Sequence, residues 1–341
     1  MKKTGVLLIN LGTPDSPKVK DVRKYLTEFL NDPRVIDIRP LGRFFLVNGI
    51  IVPFRAPKSA KIYKELWEMW DGESPLLTFG VDLKTKLQQK FSKENVTVEL
   101  AMRYQNPSLN EVLDRMKKEH YEQLIILPLF PHYASASSGS AIEKTLRLIK
   151  EWQAIPAIKV IPQFYNDPGF IKTFAKRALE HPIATYDHIL FSYHGIPERQ
   201  LDKQHPELKC ADCDCHLKFR PEQPLCYRNT CYETTRLIAA ELGLTEDQYT
   251  SCFQSRLGKT PWLRPYSDKI IEELVKKGVK KILAFSPAFI ADCLETSVEI
   301  SGEYQEIVEE FGGEKIQLVT SLNDHPEWID TAERLIRKEM S

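Results

Sequence analysis

Short apolar runs alternate along this chain with longer segments in which apolar residues recur at helical spacing. The runs predict strands at residues 5–12, 96–102, 124–130, 158–164, 189–193, 282–289 and 316–320. The periodic segments predict helices at residues 17–29, 59–70, 81–91, 109–118, 141–152, 169–179, 231–242, 267–277 and 327–338. Because strands that alternate with helices pair in parallel and are covered on both faces, the pattern predicts an α/β fold with parallel sheets.

The length of 341 residues exceeds what one hydrophobic core usually supports, so we expect two domains with a boundary between residues 163 and 187. No predicted strand is followed by the G-x-G-x-x-G turn of dinucleotide-binding folds. The segment Gly139-Ser-Ala-Ile-Glu-Lys-Thr145 lacks the glycine that precedes the lysine of a phosphate-binding loop. The sequence therefore predicts use of neither a dinucleotide nor ATP.

The charge of the chain is balanced, with 47 lysines and arginines against 47 aspartates and glutamates. No overall field would attract nucleic acid or an anionic surface. The apolar stretch at residues 5–10 is too short for a signal-peptide core, and no run reaches the roughly 18 apolar residues of a membrane span. We therefore expect a cytoplasmic protein in a reducing compartment.

The cysteines are unevenly distributed, because five of the seven lie between Cys210 and Cys231 and none precedes Cys210. In a reducing compartment, such a group of thiols indicates a metal site in preference to disulfide bonds.

His194 follows the strand predicted at residues 189–193, directly before Gly195. This order places its imidazole at the carboxyl edge of a parallel sheet, where α/β folds bind ligands. A histidine there can exchange a proton near neutral pH or ligate a metal, although many single histidines only pack in a core.

Three glutamates, Glu295, Glu299 and Glu303, follow the strand predicted at residues 282–289. Steps of four residues keep their carboxylates on one face of a helix, which is either a functional row or a solvated acidic surface. Glu295 lies nearest to the strand end, as His194 does. An imidazole and a carboxylate could together hold a divalent metal such as Fe²⁺ or act as an acid–base pair.

Other predicted strand ends and loops carry aromatic, basic and hydroxyl side chains. They predict an aromatic-walled cleft with basic anchors for carboxylates. The candidate substrate-binding residues are Arg103, Tyr104, Tyr133, Ser135 and Trp262.

Residues 43–55 form an apolar segment that contains glycine and proline and is flanked by Arg43 and Arg55. The segment is either a loop that covers the core or a lip that enters a bilayer or grips a flat apolar ligand.

Five segments together resemble the ferrochelatase family, in the order and approximate spacing of its bacterial members. They are Asn10-Leu-Gly-Thr-Pro-Asp15, Ser192-Tyr-His-Gly-Ile-Pro197, Phe253-Gln-Ser-Arg256, Thr260-Pro-Trp-Leu263 and Ala291-Asp-Cys-Leu-Glu-Thr296. The resemblance implies two Rossmann-like domains around a porphyrin cleft. The first would comprise residues 1–165 and the C-terminal helix at about 325–340, and the second residues 166–324.

The same resemblance implies insertion of Fe²⁺ into protoporphyrin IX without ATP, by a monomer or homodimer that contacts the inner face of the membrane. It implies that His194 and Glu295 are catalytic and bind the Fe²⁺ substrate, and that Glu299 and Glu303 form a proton or metal path. The segment 43–55 would be the apolar lip. The alternative within this chemistry is another tetrapyrrole or metal, such as coproporphyrin III or cobalt.

The insertion at residues 208–231 contains the spacing Cys210-x2-Cys213-x-Cys215-x10-Cys226-x4-Cys231. Four thiolates suit either a [2Fe–2S] cluster or tetrahedral zinc. Because some ferrochelatases carry a [2Fe–2S] cluster in an internal segment at this place, the resemblance favours iron–sulfur. Cys231 is the expected spare thiol, although its close neighbour Cys226 could exchange roles with it.

The alternative is that the protein is a metal-binding or zinc-ribbon interaction module, in which the cysteine segment is the functional part. Basic and acidic residues are mixed around these cysteines, so nucleic acid is not an expected partner.

Overall fold

The structure is a computed structural model that describes residues 2–258 and 260–340. The described residues form two compact units. Residues 2–130, 134–163 and 326–340 belong to the first, and residues 131–133 with the described part of 164–325 belong to the second.

The first unit is built on a parallel sheet of four strands in the order β2-β1-β3-β4. These strands are β1 (Thr4–Gly12), β2 (Val96–Tyr104), β3 (Gln123–Pro128) and β4 (Ala157–Val160). The central strand β1 buries Val6, Leu7, Leu8 and Ile9 almost completely. Such a continuous apolar run is typical of a parallel strand with both faces covered.

The second unit repeats this arrangement, with four parallel strands in the order β6-β5-β7-β8. They are β5 (His188–His194), β6 (Tyr249–Gln254), β7 (Lys281–Phe285) and β8 (Lys315–Leu318). The predicted α/β fold with parallel sheets is thus confirmed in both units.

Helices follow most strands and cover both sheets. In chain order they are α1 (Val19–Leu30), α2 (Pro40–Phe45), α3 (Val52–Met69), α4 (Pro75–Lys90), α5 (Leu109–Lys118), α6 (Ser140–Ile149), α7 (Pro168–Leu179), α8 (Glu198–Gln204), α9 (Tyr227–Glu241), α10 (Ser267–Lys276), α11 (Tyr304–Glu310) and α12 (Pro326–Met340). Among the described residues, no helix is both long enough and apolar enough to cross a membrane.

Strand β6 is absent from the strands predicted from the sequence. Its sequence, Tyr-Thr-Ser-Cys-Phe-Gln, is half polar and lacks a continuous apolar run. This composition fits its place at the edge of the sheet, where one side of the strand has no neighbour.

Residues 43–55 are helical, so they do not form the loop that was one of the two alternatives for this segment. A π-helix at Leu46–Ile51 joins α2 to α3. Pro53 lies in the first turn of α3, where a missing N–H is tolerated. The inward side chains of Val47, Val52 and Ala56 pack in the same core cluster as residues of α1.

Candidate active site

The local backbone at His194 is fixed by its neighbours on two strands. In the β5–β6 ladder His194 pairs with Gln254, and the next amide, Gly195 N–H, donates to the carbonyl of Gln254 at 2.8 Å. A Cβ atom at Gly195 would lie 2.8 Å from that carbonyl oxygen and 3.3 Å from the Trp262 ring. Glycine is therefore required for the chain to turn here.

The imidazole of His194 is oriented by a contact between its Nδ1 and the carbonyl oxygen of Gly195, 2.6 Å apart. A carbonyl only accepts, so in the neutral ring Nδ1 carries the hydrogen and Nε2 keeps its lone pair. The rings of Phe289 and Trp262 lie beside it, with centroids 6.3 and 6.5 Å from that of His194. The half-buried imidazole is thus prepared to accept a proton, or bind a metal, at Nε2.

The amide of Gln254 connects this histidine strand to the predicted acidic segment. Its Oε1 accepts a hydrogen bond from Ser192 Oγ at 2.7 Å, which fixes the orientation of the amide. Its Nε2 then donates to the carbonyl oxygen of Glu295 at 2.9 Å and to a carboxylate oxygen of Glu299 at 3.0 Å. Gln254 therefore connects the end of β5, where His194 lies, to the backbone of Glu295 in the segment that follows β7.

The three glutamates lie on a π-helix, Glu295–Glu303, rather than on the expected α-helix. Glu299 is saturated, since its carboxylate also accepts from the amide and hydroxyl of Ser255 and from the hydroxyl of Tyr304. Glu303 is exposed and Glu295 is half-buried. The three carboxylates therefore lie in different environments and do not form a row of equivalent groups.

Cys293 contributes a further group next to Glu295. Burial, and then the negative charge of Glu295, raise the pKa of the Cys293 thiol well above its ordinary value. The thiol is therefore protonated and can donate a hydrogen bond to the Glu295 carboxylate.

Asp292 is the residue of this segment whose role the sequence did not reveal. It is buried, and its carboxylate accepts from Thr296 Oγ1 at 3.1 Å and Asn323 Nδ2 at 2.7 Å. Asp292 thereby anchors the start of the π-helix that carries Glu295. The Asp-x-x-x-Thr spacing, a local side-chain bonding pattern, was the available signal.

Arg103 and Tyr104 lie inside β2 in the first unit, because that strand continues two residues beyond its predicted end. Arg103 pairs with the buried carboxylate of Asp32 and donates from Nε to Ser140 Oγ at 2.7 Å. The Tyr104 hydroxyl donates to Asp32 at 2.9 Å. Tyr104 is completely buried. The side chains of Arg103 and Tyr104 therefore stabilise the end of β2, whereas the sequence led us to expect free polar groups in a cleft.

The remaining candidate substrate-binding residues are more accessible. Tyr133 and Ser135 are half-buried, and Ser135 Oγ accepts from Arg34 Nη1 at 3.0 Å. Trp262 lies beside His194, and its buried Nε1–H finds no acceptor among the residues that the structure describes.

Four of the five clustered cysteines, Cys210, Cys213, Cys215 and Cys226, line one small cavity together with Arg228. Cys231 lies outside this cavity and is fully buried within α9. All the cysteines are free thiols. Burial raises the pKa of Cys210 to about 12 and also raises that of Cys226, so both thiols are protonated at neutral pH in the absence of a bound cation.

Four thiols lining one cavity are a donor set that suits either a [2Fe–2S] cluster or tetrahedral zinc. Across residues 2–258 and 260–340, no three His, Cys, Asp or Glu side chains are arranged to hold a single metal ion. The buried Nε–H of Arg228 has no acceptor among the described residues, which suits an anionic group in the cavity.

Comparisons with known proteins agree on one family. A family model described as Ferrochelatase matches residues 3–340. The ferrochelatase of Legionella pneumophila strain Lens is 46% identical over 337 residues, covering 99% of each chain. That of Coxiella burnetii strain Dugway 5J108-111 is 41% identical over 342 residues, covering 99% of this chain and 94% of the relative.

Two solved structures share the fold. SirB from Bacillus subtilis with Fe3+ matches with a TM-score of 0.54 and 11% identity, covering 98% of this chain and 95% of that one. The sirohydrochlorin chelatase SirB from Bacillus subtilis subspecies spizizenii, in complex with cobalt, matches with a TM-score of 0.50 and 10% identity, covering 98% and 94%. At such low identity the likeness concerns the fold alone.

The buried Asp32–Arg103 pair predicts a specific pH dependence of stability. Burial opposes ionisation of Asp32, but hydrogen bonds from Ser140 and the Arg34 amide and the charge of Arg103 outweigh it and lower the pKa below 3.8. Stability from the ionised carboxylate is complete above the unfolded-state pKa and is lost as the pH falls toward the folded-state value. We expect Asp32→Asn to destabilise the protein by about 3 kcal/mol at pH 7, since Arg103 loses its partner.

Urea denaturation from pH 7 down to about pH 3 measures this effect. The free energy of unfolding should decline more steeply with acidification in the wild type than in Asp32→Asn. Asp330→Asn, which removes an exposed partner of Lys90, is the control and should leave stability nearly unchanged. Parallel pH curves for wild type and Asp32→Asn would contradict the assignment.

Proposed function

The chain belongs to the ferrochelatase family, whose members insert ferrous iron into a porphyrin, and on that basis we propose that His194 and Glu295 carry out this reaction on protoporphyrin IX. The main support is the placement of both residues at one sheet edge, tied together through Gln254. The protein is a lyase, and we propose that it acts without ATP.

His194 is the proton acceptor in this proposal. Metal insertion replaces two pyrrole N–H protons by one Fe²⁺ ion, so two protons must leave the macrocycle. The Nδ1 contact with Gly195 leaves the Nε2 lone pair directed away from the backbone, and this atom takes one proton. The rings of Trp262 and Phe289 beside it offer apolar surface for a flat macrocycle.

Glu295 is the partner carboxylate, which accepts the second proton or holds the incoming Fe²⁺. Its backbone is fixed by Gln254, and the Cys293 thiol lies within hydrogen-bonding reach of its carboxylate. Glu299 is bonded to several donors and so serves better to hold the segment than to bind metal. The exposed Glu303 is the member of the row best placed to exchange protons with solvent.

Replacing His194 tests the catalytic assignment. We expect His194→Ala to lower kcat by about 10²-fold or more, because general base catalysis typically contributes this much. Anaerobic loss of the metal-free porphyrin absorbance with Fe²⁺ measures the rate, with protoporphyrin IX and coproporphyrin III compared in parallel. If coproporphyrin III is turned over faster than protoporphyrin IX, coproporphyrin III is the substrate. The role proposed for His194 is then unchanged.

The matched control is His188→Asn, at the other end of the same strand, where the native ring contacts Thr250. This variant should retain turnover. Near-wild-type turnover in folded His194→Ala would contradict the proposal.

We further propose that a [2Fe–2S] cluster is held by Cys210, Cys213, Cys215 and Cys226. The four-cysteine cavity and the buried Arg228 Nε–H, which has no acceptor among the described residues, support an anionic metal–thiolate centre here. The resemblance of the cysteine segment to that of cluster-containing ferrochelatases favours iron–sulfur over zinc. Such a cluster would cross-link the insertion to Cys226 at the start of α9. This is a structural role, since metal insertion transfers no electrons.

An absorption spectrum of the purified protein tests the cluster. We expect visible bands that bleach with dithionite, and their loss in Cys213→Ser. Cys231→Ser is the control and should keep the bands, since Cys231 lies outside the cavity. A colourless protein that contains zinc would overturn the proposal.

We also propose that α2, the π-helix and the start of α3 form a membrane-contacting lip on a cytoplasmic enzyme. Leu41, Phe45 and Phe54 are 76, 68 and 74% exposed there, an apolar surface that needs a partner. Phe45→Asp and Phe54→Asp should reduce co-sedimentation with phosphatidylcholine–phosphatidylglycerol vesicles. Leu179→Asp, at a similarly exposed apolar position on α7, should not. Unchanged sedimentation of the lip variants would contradict membrane contact.

A further inference from the structure

We propose that Tyr227 is a positioning residue, whose hydroxyl ties the backbone of His194 to the helix turn that bears Cys226. Tyr227 is buried at the start of α9 and donates to the carbonyl oxygen of His194 at 2.8 Å. This inference rests on the proposed roles of His194 and of the cysteine cavity, and it adds a physical connection between them.

The first part of the connection is the peptide plane between His194 and Gly195. Its carbonyl oxygen is held by Tyr227, and its N–H by the carbonyl of Gln254 at 2.8 Å. The next carbonyl, that of Gly195, accepts from Nδ1 of the imidazole. Rotation of this plane would therefore move the atom that sets the direction of Nε2.

The second part is the attachment of the cysteine insertion to α9. Cys226 is the residue immediately before α9, and Arg228 Nη1 donates to the carbonyls of Cys210 at 2.7 Å and Cys213 at 3.2 Å. Arg236, also on α9, donates to the carbonyl of Cys215 at 2.7 Å. All four cysteines of the cavity are thus tied to the helix whose first residue is Tyr227.

Asn229 completes this attachment in the same turn. Its amide group bonds to the backbone of Arg220 and Gln223, at 2.9 to 3.1 Å. A cluster that draws the cysteines together would therefore set the position of the first turn of α9. Through Tyr227 it would also set the orientation of His194.

The Tyr227→Phe variant removes the hydroxyl and keeps the ring. We expect kcat to fall roughly tenfold with the KM for porphyrin unchanged, because the base is misplaced while the porphyrin still binds. The matched control is Tyr193→Phe, which removes another buried hydroxyl contact between β5 and α9, to Thr235 at 2.9 Å, without touching the His194 carbonyl. It should keep the wild-type kcat, with a similar loss of thermal stability.

A second readout does not depend on turnover. The ring signals of His194 in an NMR spectrum, assigned by their loss in His194→Ala, should shift in Tyr227→Phe and not in Tyr193→Phe. Removing the cluster with dithionite and a chelator, and restoring it with Fe²⁺ and sulfide, should shift these signals reversibly in the wild type. The shift should be much smaller in Tyr227→Phe.

The positioning role of Tyr227 and the proposals on which it rests can fail separately in these experiments. A wild type that inserts no iron would overturn the proposed function, while the His194 signals would still test the tie. An unchanged His194 signal in Tyr227→Phe, or equal loss of kcat in both tyrosine variants, would overturn the positioning role. His194 signals that do not respond to cluster removal in the wild type would overturn the connection to the cysteine cavity.

Discussion

The hydrogen bonds of the Gln254 side chain hold the candidate active site together. One amide group is oriented by Ser192 on β5 and then bridges from β6 to the backbone of Glu295 and the carboxylate of Glu299. A buried amide whose donors and acceptor are all engaged has one favourable orientation. A single side chain thereby connects the strand that ends at His194 to the segment that carries Glu295 and Glu299.

Much of the fold was predictable from the sequence because both sheets are parallel. Buried parallel strands are continuous apolar runs, so β1, β3, β5 and β7 were readily found, and the position of His194 after β5 followed from the chain order. The edge strand β6 was missed because its polar residues resemble a loop. That error also hid the role of Gln254, which lies at the end of this strand and at the centre of the candidate site.

The other corrections have local causes. Arg103 and Tyr104 were expected at a crevice, but β2 continues through them and Asp32 supplies a buried partner for both. Nothing in their immediate sequence indicates that partner, which lies about seventy residues earlier in the chain. The π-helices at residues 46–51 and 295–303 were equally hidden, because apolar spacing does not distinguish an inserted residue from an ordinary turn. Cys231, which the resemblance leaves as the spare thiol, lies outside the cavity that the other four cysteines line.

The most direct test of the account is whether His194 and Glu295 act as one unit. Rates of Fe²⁺ insertion should be measured for His194→Ala, Glu295→Gln and the double variant, each shown to be folded. Residues that share one catalytic step give strongly non-additive losses. If the two residues act together, the double variant will be about as slow as the slower single variant. Losses that multiply would show that the two residues act independently and would contradict this proposal.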